Sequence, residues 1–304
     1  MNNLIPLMRR EWLQHRFAWS LLVLVPLALA VLPLSFGQIE LDHDISARSA
    51  PELAAMFALV SIVASTAIVF LIVWLTSLFI TVMLARRDHA DRSVEFWLSL
   101  PTGHAESFAA PFLMHLLLVP AAAVLLGLLG GFAMSLLVVT RFVGFGEWLA
   151  LPWATLLAGT LAVAARVIAG LPLATLWLSP LILLAVLAYA LLRKWGLPVL
   201  AIGLGLGSAV LQYIFGQPLL GAALARIGQN ASLALAGASR QGVVIDSEAD
   251  PIQSLQALPG WALTDLLAAL RDAASPAFAG GLVLSAALFM ALVLWRQRGT
   301  SSAH

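Results

Sequence analysis

Apolar residues in this chain come in long unbroken runs separated by short, more polar segments. A run of about 20 apolar residues crosses the hydrocarbon core of a bilayer as a helix. Runs of that kind occupy 17–36, 53–85, 108–139, 156–192, 198–215 and 278–295. They are continuous rather than alternating, which excludes membrane strands. The pattern predicts a single transmembrane domain over 1–304. Its fold class is an all-α polytopic membrane protein with six transmembrane helices.

The run 156–192 is too long for one simple span, and it contains Arg166, Pro172 and Pro180. It reads as a hairpin of two short spans, or as one span with an apolar segment before it. An arginine at mid-membrane costs about 2.5–3.5 kcal/mol on insertion scales, and little near the interface. The expected span is therefore 171–192, with 150–170 as a partly interfacial lead-in. Pro172 then falls in the first turn, where its missing N–H is harmless, and Pro180 kinks the helix.

Six spans put both termini on one side, together with 86–107 and 193–197. That side carries Arg9, Arg10, Arg16, Arg86, Arg87, Arg92, Arg193, Lys194, Arg296 and Arg298 in short segments. The other side carries Arg48, Arg141, Arg166, Arg226, Arg240 and Arg271 over a longer stretch. Basic residues in short loops stay in the cytoplasm, so both termini are expected there. No cleavable signal peptide is evident, because the first run is long and its arginines lie in an amphipathic lead.

Three segments between the runs have patterns of their own. In 1–16, Leu4, Met8 and Trp12 share one helical face, and Arg9, Arg10, Gln14 and Arg16 populate the rest. This suits an amphipathic helix lying on the membrane surface, or a basic flank that only sets topology. In 86–107, Asp91 suits an N-cap, Glu95 a first turn, and Pro101 with Gly103 a stop. Val94, Phe96, Trp97, Leu98 and Leu100 surround that short helix on all sides. It must bury itself beneath its own spans or in a soluble partner. In the external segment 216–277, Leu263, Leu266, Leu267 and Leu270 follow i, i+3, i+4, i+7 spacing, with Asp265, Arg271 and Asp272 set apart. This predicts an amphipathic helix at the outer interface before the last span. Residues 236–254 read as a loop, and Asn230-Ala231-Ser232 matches a glycosylation triplet that is common by chance.

Composition narrows the function. The 304 residues are 62% apolar and 10% charged, against about 45–50% and about 25% in soluble domains. Too little polar surface remains to cover a water-soluble body. That excludes a cytosolic enzyme, a nucleic-acid-binding domain and a disordered chain. The net charge of +1 predicts no polyanion partner. With no cysteine, disulfides, thiol catalysis and thiolate metal sites are absent. Lys194 is the one lysine and stands in Arg193-Lys194-Trp195. A Walker A loop needs Gly-x-x-x-x-Gly-Lys-Ser/Thr, so the chain is not expected to bind ATP by that loop.

The candidate chemistry is sparse. Of His15, His43, His89, His104, His115 and His304, His115 alone lies in a predicted span. It reads as a satisfied packing residue near the span's end or as a functional intramembrane group; Gln212 and Arg166 carry the same alternatives. Glu40, Asp42, His43 and Asp44 read as a solvated loop rather than a hard-cation site. Asp246-x-Glu248-x-Asp250 imitates a calcium loop, but Pro251 stands where the loop needs glycine and Ala257 where it needs glutamate. Gly127-x-x-x-Gly131 and Gly203-x-x-x-Gly207 permit close helix contact, within the chain or across a dimer.

One local stretch, Asp91-Arg92-Ser93-Val94-Glu95-Phe96-Trp97-Leu98-Ser99-Leu100-Pro101, is similar to the Asp-Arg-Ser-x-x-Phe-Trp-x-Ser-Leu-Pro stretch of a bacterial branch of ABC type-2 exporter permeases. Leu176-Trp177-Leu178-Ser179-Pro180 followed by Arg193-Lys194 resembles that family's aromatic-proline fourth span. The architecture resembles it too: an N-terminal amphipathic helix, a cytoplasmic helix between spans two and three, and an external helical insertion before the last span. The resemblance implies a permease subunit in a bacterial inner membrane. It implies that the 91–101 helix, with Asp91, Arg92, Ser93, Val94, Phe96, Trp97, Leu98, Leu100 and Pro101, couples to a separate ABC ATPase subunit. It also implies a second permease chain, in a homo- or heterodimer, and no cofactor here, with ATP and Mg on the ATPase. Spans without acidic residues favour an exporter of hydrophobic or amphipathic cargo, such as a lipid, peptide or drug-like molecule, over a proton- or sodium-coupled secondary transporter; a membrane scaffold is the other alternative. An intramembrane hydrolase is disfavoured, because Ser208 has no histidine on the last span to activate it.

Overall fold

The computed structural model describes residues 4–36, 49–90, 104–239 and 251–301, with side chains for 5–32, 49–84, 108–239 and 254–295. The described residues form helices and no strand. In chain order they are α1 (Leu4–Phe36), α2 (Ala50–Ala90) and α3 (His104–Leu113), a π-helical segment (Met114–Leu118), α4 (Val119–Phe142) and α5 (Phe145–Leu149). Then follow α6 (Trp153–Leu192), a 3-10 turn (Arg193–Trp195), α7 (Gly196–Phe215), α8 (Leu219–Leu235), α9 (Pro251–Ala273) and α10 (Pro276–Ser301).

Five segments are long and apolar enough to cross a membrane: Ile5–Leu32, Ala50–Leu84, Phe108–Phe142, Trp153–Phe215 and Pro276–Trp295. The fourth holds two helices, because α6 and α7 join through the 3-10 turn. There Arg193 takes a positive φ of 55°, and α7 folds back until Gly196 lies against Ala188 and Tyr189. Large apolar side chains point outward, among them Phe17 and Leu21 on α1 and Val283 on α10. A surface of this kind, on helices of this length, is compatible with a membrane protein.

Two expected boundaries do not exist in the structure. Residues 4–16 are not a separate helix; they are the first turns of α1, which runs on to Phe36. No proline or glycine lies between 7 and 25 to interrupt it. Nor does anything begin at 171, for α6 is unbroken over 40 residues and holds both Pro172 and Pro180 inside it. A proline at 180 has no N–H for the carbonyl of Leu176, and the Ser179 hydroxyl donates to that carbonyl instead, at 2.7 Å. Side-chain hydroxyls re-satisfy proline-freed carbonyls in this way inside apolar surroundings.

Helix packing rests on small residues. Antiparallel α2 and α4 approach closely at two glycines. A Cβ at Gly127 would come within 2.8 Å of Thr66 Cα, and one at Gly131 within 2.6 Å of Ile62 Cα. Without those side chains the backbones close on each other and gain dispersion contacts, the main force between helices in lipid. The second glycine pair differs: among the described residues, nothing lies within 4 Å of a Cβ at Gly203, and Gly207 meets Leu220 alone, at 3.5 Å. α10 runs alongside α6 in the same direction, with Trp177 packed edge-on against Phe278 and Ser179 bonded to Ser285.

α2 and α6, at 41 and 40 residues, are each about 60 Å long at 1.5 Å per residue. That is twice the hydrocarbon thickness of about 30 Å. The first half of α6 is enclosed by α8 and α9. Gly159 lies against Leu255 and Leu258, and Gly170 against Ala234 and Leu235. α9 turns a different face inward from the leucine stripe. Leu255, Ala262, Asp265 and Ala269 are buried, while Leu263, Leu267 and Leu270 are exposed.

Candidate functional site

The motif residues Asp91, Arg92, Ser93, Val94, Phe96, Trp97, Leu98, Leu100 and Pro101 lie outside the described residues. So do Glu40, Asp42, His43 and Asp44, and the stretch 246–250. Gln212 is exposed on α7, and Asn230, Ala231 and Ser232 sit on α8. Two other groups of polar side chains are enclosed by the helices.

The first gathers around His115. α3 contains Pro111, α4 begins at Val119 with Pro120 behind it, and between them the chain widens to a π-helix in which Val119 N–H reaches back to Met114 O. π-helical turns are rare and recur at functional sites. This one carries His115, fully enclosed, against α1. Its Nε2 stands 3.2 Å from Glu11 Oε2. The His15 ring meets the His115 ring edge-on at 5.5 Å between centroids, and Trp19 closes the site at 5.8 Å. Glu11, His15 and Trp19 recur at four-residue spacing, so one face of α1 presents all three.

His115 has a partner in Glu11, as the reading of it as a satisfied residue requires. One expectation is corrected: an acidic residue lies inside an apolar candidate span, since Glu11 falls in Ile5–Leu32. Glu11 was hidden because the arginines around it made 1–16 read as a surface segment. The available signal was the i, i+4 pair Glu11 and His15, taken with a lone histidine in an apolar run.

The second group is built on Arg166, which is fully enclosed. Arg166 Nε donates to Asp265 Oδ2 at 2.9 Å, and Nη2 lies 2.8 Å from the same oxygen. Its Nη1 donates to the carbonyls of Ala234 and Leu235, at 2.9 and 3.1 Å. Those are carbonyls at the C-terminus of α8, which have no intrahelical partner and carry the negative end of the helix dipole. Asp265 in turn accepts from Gly237 N–H at 2.9 Å and Ser239 N–H at 2.7 Å. Gly237 has a φ of 99°, a left-handed conformation that suits glycine and lets the turn fold under the carboxylate. Burial pushes the Asp265 carboxyl up, but the Ser239 and Gly237 N–H groups, the Ser239 hydroxyl and the Arg166 guanidinium outweigh it and hold the carboxyl below its usual value. Every donor and acceptor named here is used within the network, so it ties α6, α8 and α9 together and leaves no group for chemistry.

No family model matches the chain, and neither a curated protein nor a solved structure matches it.

Proposed function

We propose that this chain is the membrane-spanning permease subunit of an ATP-driven ABC type-2 exporter in a bacterial inner membrane. It moves a hydrophobic or amphipathic cargo outward and is powered by a separate ATPase subunit. One observation carries this reading: the order of passes along the chain. The long apolar helices follow one another as α1, α2, α3 with α4, α6, α7 and α10, and α8 and α9 stand before the last. The 91–101 motif falls in the connection between α2 and α3. Six passes with both termini in the cytoplasm put Arg9, Arg10, Arg16, Arg193 and Lys194 on the cytoplasmic side, as the distribution of basic residues favours. Two permease chains pair around the pathway, and the outward-facing Gly203 and Gly207 are available to that contact. The grooves between helices are apolar. One is lined by Phe112, Leu116, Pro172, Leu176 and Phe289, which suits the proposed cargo.

The test is a pull-down. The chain should co-purify with a Walker-motif ATPase encoded beside it and stimulate that ATPase when cargo is added. The chain alone should turn over no nucleotide. Failure to retain the ATPase, or nucleotide turnover by the chain freed of it, refutes the reading. Orientation is read separately in this cysteine-free chain: Ile245→Cys should label from outside the cell only.

The buried Glu11–His115 pair favours a second reading, a secondary carrier that couples cargo to a cation, since such carriers bury an acidic residue. Transport that persists without the ATPase and follows an ion gradient selects that reading.

A further inference from the structure

Glu11 and His15 stand one helical turn apart on α1, and His115 faces them from the π-helical segment. Together they offer one carboxylate oxygen and two imidazole nitrogens, all within 4.8 Å of one another. Glu11 and His115 are enclosed, at 2% and 0% exposure. We propose that Glu11, His15 and His115 form a binding site for a divalent transition-metal ion of the zinc class.

The donor set selects this ion. Imidazole and carboxylate together suit zinc and its neighbours, and two histidines with one glutamate make a known three-ligand zinc set with an open fourth position. Calcium and magnesium take oxygen ligands instead. Around a tetrahedral zinc with bonds of about 2.0–2.2 Å, ligand atoms stand about 3.4 Å apart. The Glu11 and His115 atoms are already at 3.2 Å, and a His15 nitrogen lies within 4.8 Å of both.

A second observation points the same way, and it concerns His115. Its position on a π-helical turn, which re-aims a side chain at local cost to the helix, fits a ligand better than a packing residue.

The experiment uses the full chain, purified in detergent without a polyhistidine tag, and Co²⁺ as the spectroscopic probe. One equivalent of Co²⁺ should bind with tetrahedral d–d absorption and be displaced by Zn²⁺, and Zn²⁺ should raise the thermal unfolding midpoint. Glu11→Gln and His115→Gln should each weaken binding by more than about a hundredfold, because losing even an outer-shell partner costs up to about that much. His104→Gln and His304→Gln should leave it unchanged. His15→Gln, at a half-buried position, provides the same readout should the buried variants fail to fold. Absence of saturable Co²⁺ binding overturns the proposal. So does binding that survives His15→Gln and His115→Gln, or that is lost equally with His304→Gln, which marks an adventitious ion only.

Discussion

Arg166 Nε donates a 2.9 Å hydrogen bond to Asp265 Oδ2 across 99 positions of sequence, and both side chains are fully shut off from solvent. The pair joins the first half of α6 to α9, and through three backbone carbonyls of α8 it fixes that helix's end as well. A charge this enclosed is tolerable because every face of it is met by an acceptor.

Asp265→Ala removes the counter-charge and leaves the guanidinium enclosed. Breaking one side of a buried pair costs about 3–5 kcal/mol, so thermal unfolding in detergent should show a markedly lower midpoint. Arg166→Met combined with Asp265→Leu should recover part of the loss, because no charge is then stranded. Recovery should stay incomplete, since the α8 carbonyls and the Gly237 and Ser239 N–H groups lose their partners. A double variant no better than Asp265→Ala would show that the charge itself is not the problem.

The same carboxyl predicts acid lability. Its folded pKa lies below the ordinary aspartate value, so its contribution is fully present above the unfolded pKa of about 3.9 and is lost as pH falls through the lower folded value. Below about pH 4 the wild type should lose stability more steeply than Asp265→Asn, which has no proton to bind there. Parallel acid limbs for the two proteins would contradict this.

The glycine pairs should respond differently. Gly131→Ala drives a methyl into the backbone at Ile62 and forces α2 and α4 apart, a strain of about 1–3 kcal/mol. Gly203→Ala meets open space in the single chain and removes backbone freedom, so it should be neutral or stabilising by up to about 1 kcal/mol. Unfolding midpoints of the two variants check this. Equal destabilisation of both would mean that Gly203 is covered by another chain.

Trp97→Ala tests the proposed coupling helix. On the proposed reading, 91–101 is an apolar cytoplasmic helix that needs a groove, and Phe96 and Trp97 would each supply about 1.5–3 kcal/mol if buried there. The variant should insert normally, since the apolar runs set insertion, but lose cargo-coupled ATPase activity. Unchanged coupling and co-purification would show that 91–101 packs only under its own helices.

How much of this was legible in the chain divides along a physical line. The runs were legible because hydrocarbon thickness imposes a length on any crossing helix, and length is a property of one segment read alone. The leucine stripe on α9 was legible for the same reason, but not its direction: the stripe faces out, and the small residues with Asp265 face in. Arg166 announced that it needed a partner. Which aspartate would answer depended on α8 and α9 folding over α6. Glu11 and His115 are each ordinary in their own segment, one among arginines and the other among leucines. They became a site only when α1 continued unbroken past residue 16 and the π-helical turn aimed His115 at it. Periodicity and run length come from neighbours in sequence, so they fix elements. Ion pairs across about a hundred residues come from which helix faces can approach closely, and glycine positions, proline-freed carbonyls and side-chain volumes decide that together only in the folded chain.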